Sequence, residues 1–158
     1  MRLTIFGTVL KMSEENVKAY DIRKARAVRS GDIPALKQLH EAGELLQVCN
    51  AYRESIVHTA CRRGDLDVVK FLVDVDVSLR VVDDYGRTIL HDACWTATPC
   101  FDLIKFIILR FPDLLYCQDG RGHFPLEYIR KEDYDKWVPW LEENEDYLVP
   151  RELITYDF

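Results

Sequence analysis

The feature that most limits what this chain can fold into is a segment that it spells twice. Tyr52–Arg63 reads YRESIVHTACRR and Tyr85–Thr96 reads YGRTILHDACWT. His58 and His91 stand 33 residues apart, as do Ser55 and Thr88, Ala60 and Ala93, and Cys61 and Cys94. Gly31-Asp32 and Gly64-Asp65 share that spacing. Gly86 and Gly122, and Leu90 and Leu126, stand 36 apart, so the third unit carries three extra residues. A pattern that recurs at a fixed period is a building unit before it is a reactive centre.

Each unit follows one grammar. A turn segment opens it: NAYRES, DDYGRT or DGRGHF. Ser55 and Thr88 then start a short helix, because a hydroxyl oxygen accepts a free N–H of the first turn. A Gly-Asp or Thr-Pro turn leads to a second helix, LDVVKFLVDV or FDLIKFIILRF. In the former, Leu66, Val69, Leu72 and Val73 form one apolar stripe. An extended SLRVV or LLYC stretch closes the unit. One helix pair of this length cannot bury both faces, but a stack of copies can. The predicted fold class is therefore all-α, a solenoid of helix-turn-helix units with finger-like turns. The units span about 17–49, 50–82, 83–118 and 119–148, after an N-terminal extension 1–16 and before a C-terminal tail 149–158. The outer units are degenerate caps. Ala25 and Glu127 stand where the inner units have histidine.

This period and spelling resemble the ankyrin repeat, D-x-x-G-x-T-P-L-H-x-A-A-x-x-G-x-x-x-V-V-x-L-L. Unit three supplies Asp83, Gly86, Thr88, Leu90, His91 and Ala93. Unit two supplies Ser55, Val57, His58, Ala60, Gly64, Val68, Val69 and Leu72. Unit four supplies Asp119, Gly122, Pro125 and Leu126, and unit one only Gly31-Asp32 and the helix after it. Ile56 and Ile89 replace the proline, and Phe124 replaces the threonine of unit four. Arg53 replaces the glycine of unit two, so a different turn is expected there, because glycine tolerates positive φ and arginine resists it. The resemblance implies structural roles for Ser55, His58, Thr88 and His91, as buried hydrogen-bonding residues that tie neighbouring units together. It implies small buried positions for Cys61 and Cys94.

The resemblance also implies a function: a non-enzymatic scaffold or adaptor module that binds a partner protein in a concave groove. The family's variable positions fall on Tyr52, Arg62 and Arg63 in unit two. They fall on Asp84, Tyr85, Arg87 and Trp95 in unit three, and on Arg121 and His123 in unit four. Tyrosine, tryptophan and arginine are the types enriched at binding hot spots. A groove of aromatics flanked by arginines suits a partner with acidic and aromatic segments.

Two other readings use the same residues. One is a thiol or metal-binding protein centred on His91 and Cys94. Zinc needs its ligands about 2.0–2.3 Å from one centre. Equivalent positions on packed helices lie about 8–10 Å apart, which opposes convergence of the two H-x-x-C pairs. The other is a targeting domain of a larger multidomain protein. No cofactor and no metal is expected.

Composition narrows the setting. The net charge of −6 opposes nucleic-acid binding by the molecule as a whole. Five cysteines with no C-x-x-C spacing suggest reduced thiols and an intracellular, cytoplasmic or nuclear location. No apolar run approaches the roughly 20 residues of a membrane span, and a monomer is expected. Near the C-terminus, Trp137, Trp140 and Leu141 have helical spacing suited to sealing the end of the array. Pro139 suits a first turn better than a helix middle, so a break is expected near Val138.

Overall fold

The computed structural model describes residues 3–4 and 7–148. The C-terminal tail 149–158 lies outside the described residues. Successive helical hairpins are stacked side by side. The first is α2 (Ile22–Ser30) with α3 (Ile33–Glu41), the second α4 (Ile56–Arg62) with α5 (Leu66–Asp74), and the third α6 (Ile89–Cys94) with α7 (Phe101–Arg110). Inner helices α2, α4 and α6 pack in a row that a 3-10 turn, Pro125–Tyr128, continues. Each inner helix also packs on its own outer helix. Among the described residues no helix is long and apolar enough to cross a membrane.

The hairpins form where the sequence stops one helix and starts the next. Gly31 and Gly64 take φ of +67° and +69°, a left-handed geometry that ends the inner helix. The following aspartate caps the outer helix: Asp32 accepts from the N–H of Ala35 and Asp65 from that of Val68. The core is continuous through the stack, with Val28, Leu36, Val57, Ala60, Leu72, Leu90, Ala93, Ile104 and Leu114 fully buried. In α5, Val68 joins Val69 and Leu72 in the core, while Leu66 and Val73 are half-buried. Two expectations for the third and fourth units change. LLYC is not extended, because a 3-10 turn covers Pro112–Tyr116 and includes its first three residues. The first helix of unit four shrinks to the 3-10 turn Pro125–Tyr128, since the chain turns extended at Ile129 and Arg130.

Pro139 also departs from expectation. After a 3-10 turn at Lys131–Asp133, helix α8 runs unbroken from Tyr134 to Glu143 with Pro139 inside it. The residues on either side of Pro139 hold it. Trp137 packs edge-on against Phe101 of α7 at 5.0 Å, and Trp140 stacks on the same ring at 5.1 Å. Pro139 and Asp135 are exposed, so the carbonyl left without an N–H faces water. A final short helix, α9 (Glu145–Leu148), lies against α7.

The N-terminal stretch is engaged with the body. Strands β1 (Leu3–Thr4) and β2 (Gly7–Thr8) pair antiparallel, and β3 (Leu10–Lys11) pairs in parallel with β4 (Val81–Val82). Met12 is buried in the core, and helix α1 (Glu14–Lys18) follows. Arg53 does not change its turn. It takes φ +61°, the geometry of the glycine it replaces.

Candidate interaction groove

Three fingers share one construction. In finger two, Asn50 Oδ1 accepts the N–H groups of Tyr52 and Glu54, at 3.0 and 3.1 Å. In finger three, Asp83 Oδ1 accepts those of Tyr85 and Arg87, both at 2.9 Å. In finger four, Asp119 Oδ1 accepts those of Arg121 and His123, both at 2.9 Å. Each tip is closed by a bond back to the first residue, from Arg53, Gly86 or Gly122, all at positive φ. The fingers are joined in turn. The Asp84 N–H donates to the Tyr52 carbonyl at 2.9 Å, and the Gly120 N–H to that of Tyr85 at 2.7 Å.

His58 and His91 lock fingers three and four to the helices behind them. The Ser55 N–H donates to His58 Nδ1 at 3.2 Å, and the His58 N–H donates to Ser55 Oγ at 3.1 Å. Because a main-chain N–H donates to Nδ1, the ring proton sits on Nε2. That N–H reaches the Arg87 carbonyl, 2.9 Å away in the next finger. Thr88 and His91 repeat the arrangement, with Nε2 2.9 Å from the His123 carbonyl. Both histidines are fully buried. In unit four Glu127 takes the local half of the role and accepts the Phe124 N–H.

Between fingers three and four lies a cleft of about 530 Å³ lined by Asp84, Tyr85, Arg87, Asp119, Gly120, Arg121, His123 and Tyr128. It gathers Asp84, Tyr85, Arg87, Arg121 and His123 from the sequence-derived set. Tyr52 and Trp95 stay outside its lining yet are 62% and 42% exposed. One face of the Trp95 ring is covered by the Arg130 guanidinium, 5.3 Å from its centroid. Arg63 is placed elsewhere. It borders an open hollow of about 700 Å³ on the helix-turn side, between Arg63–Asp67 and Pro99–Leu103. That hollow contains none of the exposed aromatics.

The arginines do not form a free basic stripe. Arg62 pairs with Glu54 at 3.0 Å and with Asp92 at 3.2 Å. Arg87 pairs with Asp83 at 2.6 Å and with Glu54 at 3.2 Å, and its guanidinium lies over the Tyr85 ring at 5.0 Å. Asp84 pairs with Lys11 at 3.0 Å. Among the described residues Arg63 and Arg121 form no ion pair, and both are exposed. Burial pushes the Asp92 carboxyl up, and the nearby Arg62 and Arg87 offset this only in part. Sequence reasoning did not single out Asp92 and Tyr128, and it named Asp83 and Asp119 only as matches to the repeat pattern. The aspartates at the finger bases recur at the repeat spacing, which was the available signal. Asp92 and Tyr128 had none, since unit two has Thr59 at the matching place.

The thiols sit away from this groove. Cys49, Cys61, Cys94 and Cys117 are buried, and none of the five cysteines forms a disulfide. Burial pushes the thiols of Cys61 and Cys94 up, which disfavours the nucleophilic thiolate. His91 has both ring nitrogens committed to hydrogen bonds.

A family model of ankyrin repeats, three copies long, matches residues 25–115. No curated protein matches the chain.

Proposed function

The chain belongs to the ankyrin-repeat family, and from that premise we propose that it is a non-enzymatic adaptor that holds a partner protein in the groove between its fingers and inner helices. Ankyrin repeats generally serve as protein–protein interaction modules. The observation that carries the reading is the cleft between fingers three and four, where exposed Tyr85, Arg121 and His123 meet. Trp95 and Tyr52 extend the same kind of surface. Exposed aromatics beside a cation that has no counter-ion among the described residues suit a partner segment that offers a carboxylate next to an aromatic or apolar side chain.

The buried ion pairs refine the assignment. Arg62 and Arg87 are held by Glu54, Asp83 and Asp92, so they shape the floor of the groove and hold Tyr85 in place. Arg121, which forms no ion pair among the described residues, is a cation available to a partner at the cleft. Five cysteines with no disulfide among them suit a reducing compartment, cytoplasmic or nuclear. The chain acts as a monomer that presents one groove.

The test is affinity capture from cell extract with wild type and with a Trp95→Ala, Arg121→Ala double variant, identifying retained proteins by mass spectrometry. Loss of a reproducible partner by a variant with an unchanged circular dichroism spectrum supports the reading. A folded variant that keeps every partner overturns the groove assignment.

A further inference from the structure

Finger two differs from its neighbours at the position that closes its tip. Gly86 and Gly122 take φ of +74° and +85°, and Arg53 takes +61° in the same place. A residue with a Cβ is strained in that region, so a compensating contact is expected. The Arg53 guanidinium provides it. Nε donates to the Met12 carbonyl at 3.0 Å and Nη2 to the Glu14 carboxylate. Other contacts hold the same segment. Leu10–Lys11 pairs in parallel with Val81–Val82, Lys11 Nζ lies 3.0 Å from Asp84 Oδ1, and the Met12 side chain is 4% exposed.

We propose that the outer edge of strand Val81–Val82, flanked by Asp84 and Arg53, is a docking site for an extended peptide, and that residues 9–14 are the chain's own occupant of it. The edge adjoins the groove at Asp84, which pairs with Lys11 and also lines the cleft. Neighbouring residues Arg53 and Glu54 turn to different partners, Arg53 to the N-terminal segment and Glu54 to Arg62 and Arg87. The bridge between Val82 and Thr88 closes the strand on its other side. The outer edge offers main-chain groups to an added strand. The occupant's spelling states what fits: a base, then a long apolar anchor, then an acid two residues on, as in Lys11, Met12 and Glu14. The Lys11 and Glu14 side chains are 64% and 73% exposed, so their pairs exchange through water, while Met12 must leave a dry pocket and Val9 a partly buried one. A partner strand with the same order of side chains replaces the segment.

The experiment uses the full chain carrying Lys11→Glu, Met12→Asp and Glu14→Lys, which disfavours the internal occupant and leaves the edge intact. Binding of a fluorescent peptide with the native spelling of residues 7–15 is read by anisotropy. The peptide is expected to bind the variant at least tenfold more tightly than wild type. Absence of binding, or equal binding to both, overturns the proposal. Arg53→Gly is the second variant, because glycine keeps the turn. Its amides at residues 9–12 are expected to exchange hydrogen at least tenfold faster while those of α4 and α6 are unchanged. Unaltered exchange at residues 9–12 also overturns the proposal.

Discussion

His58 Nε2 lies 2.9 Å from the carbonyl oxygen of Arg87, so a buried ring on one hairpin satisfies the backbone of the next finger. His91 makes the same bond to His123. The ring fixes the start of its own helix through Nδ1 and the neighbouring finger through Nε2. Losing it exposes two failures at once, a loosened helix start and an unsatisfied buried carbonyl.

His91→Leu is therefore expected to destabilise the fold by about 2–4 kcal/mol, since it leaves buried polar groups without partners. Urea unfolding followed by circular dichroism measures it. A metal chelator is expected to leave the wild-type midpoint where it was, because the ring nitrogens are held by protein groups. A drop on chelation would return the metal reading to contention.

Arg87 and Arg121 both line the cleft, yet their variants should differ. Arg87→Ala strands the buried Asp83 carboxylate and is expected to cost about 2–4 kcal/mol. Arg121→Ala removes an exposed side chain and is expected to change stability by less than about 0.5 kcal/mol. Once a partner is in hand, Arg121→Ala is expected to weaken its binding by about tenfold, roughly one good charged contact. Melting curves together with calorimetric titration separate the two effects.

Asp119 supplies a pH signature. Burial acts to raise its pKa, but hydrogen bonds from the Tyr128 hydroxyl and the N–H groups of His123 and Arg121 outweigh it and hold it at about 2. An unfolded aspartate titrates near about 3.9. Its stabilising contribution is present above about pH 4 and is lost as pH falls through about 2. Asp119→Asn keeps the amide-accepting oxygen, as Asn50 does in finger two. The variant is expected to be less stable at pH 6 and to show a flatter decline between about pH 4 and 2. Urea midpoints at pH 6, 4 and 2.5 check this.

Thiol labelling distinguishes packing cysteines from reactive ones. Cys49, Cys61, Cys94 and Cys117 are buried in the fold, while Cys100 is partly exposed. A thiol reagent is expected to modify Cys100 first and the other four only at the rate of unfolding. Rapid labelling of Cys94 in the native protein would favour a thiol chemistry at that position.

Much of the architecture was legible because it repeats. Two spellings of hydroxyl, histidine, alanine and cysteine at one offset leave few ways to bury both helix faces. The Gly-Asp turns at residues 31 and 64 mark their hairpins by local backbone chemistry alone. The candidate groove was legible by position and less so by chemistry. Arg62, Arg87 and Arg121 look alike in the sequence. Whether an arginine is paired depends on acids that lie from 4 to 33 residues away, such as Asp83, Glu54 and Asp92.

By itself the sequence determined the period, the helical hairpins and the glycine or amide chemistry of the finger tips, since these are set by residues within a few positions of one another. The stacked structure decided the rest. It neutralised two arginines and left another open, carried α8 through Pro139 on the strength of Trp137 and Trp140 packing on Phe101, and held Arg53 at positive φ against the N-terminal segment. Each outcome is a contact between distant parts of the chain, whose energy exists only once the hairpins are stacked.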